Sequence, residues 1–252
     1  MTIILVPYHQ DELLPDGDIR VPAAVTVRVD PPDDDRWRRI AAVQHAVASA
    51  VQPVATAGAL PVVFSGDCLV AGGVVAGLQW AGHDPGIVWF DAHADLHTMQ
   101  SSTSGYLGGL SLRLVTGAHP EAYANLFGLR PVPPQRAVLV DARDTDPAEA
   151  EYLASGAIHR MAVPHVSAGT VPPGPIVLHI DADVVDPSEL PGLRFPVPGG
   201  PSADDVLAAA GRLLATGQVV AVHVACPWWP ADTLETADLR ARFLSRLTTG
   251  ID

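Results

Sequence analysis

Six short apolar runs constrain this chain more than any other feature. They are IILVPY from Ile3, PVVFSG to Gly66, GIVWFDA to Ala92, RAVLVDA to Ala142, PIVLHIDAD to Asp183 and QVVAVHVAC to Cys226. None alternates polar with apolar residues along its length, so each predicts a strand buried on both faces. Between them, DDRWRRIAAVQHAVASAV, CLVAGGVVAGLQW, DPAEAEYLASG, SADDVLAAAGRLLATG and TADLRARFLSRLTTG carry apolar positions at helical spacing. Several open on Asp or Ser and close at Gly, as helix caps do. Strands alternating with helices predict an α/β chain with a central, mainly parallel sheet between two helical layers. No internal repeat or shift in composition marks a linker. At 252 residues, a single three-layer α/β/α domain over 1–252 is the expectation.

Charge and residue usage narrow the function classes. A formal net charge of -13 repels phosphate backbones and anionic lipid, so neither nucleic acid nor a membrane surface is an expected partner. A small-molecule substrate and a homo-oligomer remain open. The opening MTIILVPYHQDELLPDGD has no basic stretch, and its apolar run is too short for a signal peptide or a span, which predicts a cytoplasmic protein. Two cysteines, Cys68 and Cys226, argue against a disulfide framework. The chain has no lysine, which excludes Schiff-base chemistry and a P-loop.

In open parallel sheets ligands sit beyond the carboxyl ends of the strands. The polar residues that interrupt the apolar runs fall at those ends: Asp67 and Cys68; Asp91, His93 and Asp95; Asp181, Asp183 and Asp186; and Cys226. In extended backbone Asp91, His93 and Asp95 share one side, as do His179, Asp181 and Asp183. Carboxylates gathered at one edge repel one another unless a cation holds them. A pair of divalent metals resolves the conflict and would acidify a bridging water into a hydroxide nucleophile. Turn and cap residues at strand ends are the plainer reading of either motif alone; the two together favour a metal site.

These residues resemble a known family. SGDC at Ser65 to Cys68, DAHAD at Asp91 to Asp95 and IDADVVDPSELPG at Ile180 to Gly192 are similar to the three metal-binding motifs of the arginase and agmatinase (ureohydrolase) family. TSGYLGG from Thr103, RDTDPAE from Arg143 and PVPGG to Gly200 extend the likeness from about Val62 to the last strand. The resemblance implies an arginase-like α/β fold with a binuclear Mn(II) centre that hydrolyses a guanidino or amidino C–N bond. It implies Cys68, Asp91, His93, Asp95, Asp181 and Asp183 as ligands, with Asp67 and Asp186 in support. It also implies catalytic places for Asp95, His97 and Cys226 and substrate-binding places for Ser104, Tyr106, Asp146 and Glu149.

Departures from the family pattern shape the expectation. Cys68 stands where the family's first ligand is usually histidine, and a thiolate moves preference towards Zn(II) or Fe(II). A cysteine there and the GYLGG segment also resemble the hydroxyarginine amidinohydrolase branch. Gly108 replaces a histidine proposed to shuttle protons, while His97 and Tyr106 replace two asparagines that help hold an amino-acid carboxylate. Cys226 falls where a glutamate usually grips the guanidinium; a ligand, a nucleophile and an inert buried thiol are all open for it. Asp146 and Glu149 match acids that contact the substrate's amino group, or are the favoured acids of a helix N-terminus. Trp228 and Trp229 either wall the pocket or pack in a loop. His179 has a supporting place open beside Asp181, His223 a place in the core, and the remaining histidines, His9 among them, carry no ligand pattern.

Three readings follow. The first is a metal-dependent hydrolase of guanidino, hydroxyguanidino or amidino compounds, in which Asp95 handles the nucleophile's proton. The second is a noncatalytic relative that binds a ligand or partner. The third is a single-metal amide deacetylase-like hydrolase, against which the six-ligand pattern argues.

Overall fold

Each of the six apolar runs forms a strand in the computed structural model, which describes residues 1–249. In chain order the elements are β1 (Thr2–Val6), β2 (Tyr8–His9), β3 (Glu12–Leu13), β4 (Val25–Thr26), α1 (Arg36–Thr56), β5 (Pro61–Ser65), α2 (Ala71–Trp80), β6 (Gly86–Asp91), α3 (Ser111–Val115), β7 (Ala137–Asp141), α4 (Pro147–Ala154), β8 (His159–Met161), β9 (Ile176–Asp181), α5 (Ala203–Leu214), β10 (Val219–Ala225) and α6 (Leu234–Thr249). Eight strands make one sheet in the order β4-β1-β5-β10-β9-β6-β7-β8, and its pairings are parallel. The expected central sheet between helical layers is what forms. Four pieces had no legible pattern: the β2/β3 hairpin, the edge strands β4 and β8, and the five-residue α3. Each is too short to carry a periodicity.

Both faces of the sheet are buried, which explains the unbroken apolar runs. Ile4, Val63, Ile87, Leu139 and Val177 face a layer made with α1, α2 and α3. Their neighbours Val62, Phe64, Val88, Leu178 and Val224 face the opposite layer, made with α5 and α6. The period of two along each strand therefore decides which layer a residue enters.

Helix ends follow the cap residues. The Asp35 carboxylate accepts the amide of Arg38 at 3.1 Å to start α1, and the Ser202 hydroxyl accepts that of Asp205 at 3.1 Å to start α5. The two glycines Gly73 and Gly77 let α2 lie directly against α1. A β-carbon on Gly73 would stand 2.7 Å from the Gln44 carbonyl oxygen, and one on Gly77 2.7 Å from that of Ala48. Because α2 begins just beyond β5, this contact fixes the turn that carries Cys68. No described helix is long and apolar enough to cross a membrane.

Candidate metal centre

The neighbouring strands β5, β10, β9 and β6 end at one edge of the sheet, and the candidate ligands leave from three of those ends. Beyond β5, Asp67 caps a short 3-10 turn by accepting the Leu69 amide at 2.8 Å, which sets Cys68 at its first position. Asp91 is the last residue of β6, and Asp181 the last of β9. Asp181 then accepts the Asp183 amide at 2.9 Å, starting another 3-10 turn and folding Asp183 back towards it. The alternation expected for Asp91, His93 and Asp95 does not persist, because strand β6 stops at Asp91. Asp95 instead has φ of 54°, the left-handed region that a non-glycine residue seldom occupies. A bend, rather than continued strand, brings the three side chains together.

Within the cluster, Cys68 Sγ donates to Asp181 Oδ2 at 2.6 Å. His93 Nδ1 lies 3.1 Å from Asp183 Oδ2 and 3.4 Å from Asp91 Oδ1. The Trp89 indole donates to Asp91 Oδ2 at 2.9 Å and the His93 amide to Asp91 Oδ1 at 2.7 Å. Asp95 Oδ2 is buried and, among the described residues, has no hydrogen-bond partner.

The electrostatics are those of acids crowded together out of water. Burial, with the charge of Asp183 added, pushes Asp91 up to about 6. Burial and neighbouring carboxylates hold Asp95 and Asp181 well above the usual carboxylate value. Burial and Asp181 likewise push the Cys68 thiol up. For His93 burial acts downward, yet hydrogen bonds to Asp183 and Asp91 override it and push the imidazole up to about 12. One imidazolium among four carboxylates and a thiol is a donor set that fits divalent cations. The unpartnered oxygen of Asp95 supports the same conclusion. A subset, Asp91, His93 and Asp183, offers three ligand atoms within 4.8 Å of one another.

The cluster opens into a cavity of about 300 Å³. Cys68, His93, Asp95, Asp181 and Asp183 line its floor, and His97, Ser104, Tyr106, Asp146 and Glu149 its walls. Both His97 nitrogens are engaged, Nδ1 with Ser101 Oγ at 3.0 Å and Nε2 with Asp146 Oδ2 at 2.9 Å. Glu149 is buried; it accepts the Leu96 amide at 2.9 Å and the Asp146 amide at 3.0 Å, so it ties α4 to the loop carrying Asp95. The helix-start and pocket readings of Asp146 and Glu149 thus both describe where they lie. The Tyr106 hydroxyl donates to Asp67 Oδ2 at 3.3 Å, and its ring lies over Gly108. A β-carbon at Gly108 would stand 2.6 Å from Tyr106 Cζ and 2.7 Å from its oxygen.

Residues 7–249 match the Arginase family. The chain belongs to the arginase family. It is 32% identical over 196 residues to an arginase of Eremothecium gossypii, an alignment covering 71% of this chain and 49% of that protein. The chain thus spans about half the length of that relative. With an arginase of Bacillus caldovelox it shares 31% identity over 201 residues, covering 73% of this chain and 67% of the relative. The crystal structure of an arginase from Bacillus cereus has the same fold, with a TM-score of 0.80 at 22% identity, covering 99% of this chain and 96% of that one.

Three expectations for this arginase-family chain meet a different arrangement. Cys226 does not line the cavity; it is 1% exposed and belongs to the apolar layer on the opposite face from Cys68. The alternation of β10 explains this, since Ala225 enters the layer of Cys68 and the next residue must point away. Burial, with Asp181 nearby, pushes its thiol up. Trp228 is buried in the same layer as Cys226, donating to the Asp18 carbonyl at 3.2 Å, and Trp229 is exposed under Arg194; neither lines the cavity. Conversely, His9 is part of the surroundings of the site. It lies 3.5 Å from Asp67 and stacks on Tyr106, brought there by the β2/β3 hairpin that sequence pattern did not reveal. Asp144 and Phe195 also line the cavity, with Phe195 packed on Tyr106 at 4.7 Å between ring centroids. Asp144 stood inside the quoted RDTDPAE motif and was the one of these that sequence could have supplied.

Proposed function

We propose that this chain is a hydrolase that uses two divalent metal ions to cleave a C–N bond of a guanidino, hydroxyguanidino or amidino compound, in one cytoplasmic domain. The observation that carries the reading is the clustering of Cys68, Asp91, His93, Asp95, Asp181 and Asp183 around a single cationic side chain, all but the buried Asp91 lining one cavity. Such ions supply Lewis-acid polarisation and acidify a water at neutral pH. Mn(II) is the family expectation, and the Cys68 sulfur shifts the preference towards Zn(II) or Fe(II). Cys68 and the GYLGG segment support a place near the hydroxyarginine amidinohydrolase branch.

The chain's own residues divide the remaining work. Asp95 is the proton carrier: its carboxylate lines the cavity beside the other ligands, so it would take the nucleophile's proton and deliver it to the nitrogen that departs. Asp144, Asp146 and Glu149 give the cavity wall a negative field that favours a cationic substrate. His97, fixed between Ser101 and Asp146, and Ser104 further along the same loop would receive the substrate's polar end. Tyr106 and Phe195 cover the apolar part of a small ligand and exclude water from it.

The test is release of urea, hydroxyurea or ammonia by metal-loaded protein from a panel of guanidino, hydroxyguanidino and amidino compounds. Turnover that disappears in Asp181→Ala is the expected result. No release from any member of the panel by protein containing two ions per chain would overturn the reading in favour of a binding protein.

A further inference from the structure

We propose that His179 is a metal ligand as well, joining Cys68 and Asp91 to hold the softer ion of the pair. This rests on the two-ion reading above. His179 sits on β9 two residues before Asp181 and is fully buried. One of its ring nitrogens, the Cys68 sulfur and an Asp91 carboxylate oxygen lie within 4.8 Å of one another.

The hydrogen bonds below the site decide which nitrogen is free. The Ser65 hydroxyl donates to the Asp67 carbonyl at 2.9 Å, which uses its only proton. Ser65 Oγ must therefore accept from His223 Nε2, 2.7 Å away. A neutral His223 then has a bare lone pair on Nδ1, and His179 Nδ1, 2.8 Å away, donates to it. The same logic leaves His179 Nε2 as a lone pair with no hydrogen, and among the described residues it has no partner. A buried acceptor left empty costs about 1–3 kcal/mol unless something occupies it. A metal ion does so, because a ligating imidazole needs one bare nitrogen and a second nitrogen held by an outer partner.

Trp89 aligns the donors. Its ring stacks on His179 with centroids 3.6 Å apart, while its indole nitrogen holds Asp91 Oδ2 at 2.9 Å. The stack fixes the imidazole plane and the hydrogen bond fixes the carboxylate on the same side of the sheet. Thiolate, imidazole and carboxylate together are a donor set for Zn(II) or a similar borderline ion. Tetrahedral Zn(II) with bonds of about 2.0–2.3 Å places its donors roughly 3.4–3.6 Å apart, so the three need close by no more than about 1.4 Å. The other position, bounded by His93, Asp91 and Asp183, keeps a harder oxygen-rich set. The two ions of one centre would then differ in kind.

Zinc-edge X-ray absorption on wild-type protein loaded with zinc, with the metal counted per chain, tests this directly. Two zincs per chain with an average of about one imidazole on each, from His93 and His179, is the expected result. Half an imidazole per zinc would overturn the inference and leave the two-ion reading standing. Failure of the wild type to take metal would overturn both. His179→Phe, checked for folding by circular dichroism, is expected to lose one zinc per chain and the sulfur contribution to the absorption. Retention of both zincs with an unchanged spectrum would overturn it. Ser65→Ala frees His223 from its acceptor and is expected to weaken zinc binding about 10- to 100-fold without changing the count.

Discussion

Replacing Asp91 by asparagine in the metal-free protein gives a pH-dependent change of stability whose size follows from the site. Asp91 is 1% exposed, and burial beside Asp183 raises it from 3.8 to about 6. An acid raised on folding binds its proton more tightly in the folded state. Its stabilising contribution is therefore complete below 3.8 and is lost as pH rises through 6. Linkage puts the cost of keeping Asp91 in the metal-free fold at about 1 kcal/mol near pH 4.5 and about 3 kcal/mol near pH 7.5. Asparagine does not titrate, so Asp91→Asn escapes this cost. It does present one acceptor to two donors, the Trp89 indole and the His93 amide, and loses about 1–3 kcal/mol at every pH. The absolute order of the two proteins mixes these terms, but their difference isolates the titration. From about pH 4.5 to about pH 7.5 the variant should gain about 2 kcal/mol on the wild type, roughly 4–8 °C in melting temperature for a chain of this size. The assay is calorimetric melting of both proteins in chelator across that range. Adding divalent metal should reverse the trend, since the wild type regains a ligand charge that the variant lacks. A gap that does not move with pH, or that moves towards the wild type, would refute the account of the cluster as a set of carboxylates awaiting cations.

Further tests reach other parts of the site. Cys68→His should move the metal recovered with the protein towards manganese, read by elemental analysis of the two proteins grown in the same medium. Cys226→Ala should leave the metal count unchanged and cost about 1 kcal/mol in denaturant unfolding, because that thiol packs in the far layer; loss of metal would return it to the centre. Glu149→Gln leaves one of the Leu96 and Asp146 amides facing a donor, so a loss of about 1–3 kcal/mol in thermal melting is expected even without metal. In an active enzyme Asp146→Asn should raise KM about tenfold or more with kcat little changed, as its contact with His97 shapes the end of the pocket that receives substrate; an unchanged KM would remove Asp146 from recognition.

The sequence made the sheet legible because burial on both faces leaves an unbroken apolar run, and the polar residue that ends each run marks the carboxyl edge. That logic brought Cys68, Asp91, His93, Asp95, Asp181 and Asp183 to one edge along with Asp67, Asp186 and Cys226, from among which the resemblance to the family picked out the six. It failed where the determining contact is distant in sequence. His9 reaches Asp67 across 58 positions through a hairpin of two-residue strands, too short to show a pattern. Cys226 was given a place at the pocket by its alignment with the family's last strand, with an inert buried thiol left open, while the parity of β10 sends it to the other layer. The Ser65, His223 and His179 string could not be read either, since it runs across three adjacent strands, His223 level with His179 and two residues short of Ser65's register, and within none of them.

The Tyr106 ring resting on Gly108 makes these two positions one heritable unit. A side chain at 108 has no room until the ring beside it shrinks or swings away, whereas shrinking the ring first leaves only a hollow in the cavity wall. The order of steps therefore matters. A change begun at 108 must push the Tyr106 ring off its place and off Asp67, while the same pair of changes begun at 106 needs no such displacement. Histidine at 108 is thus easier to accept second than first, and surveys that score positions one by one will record Gly108 as less tolerant than it is beside a smaller residue at 106.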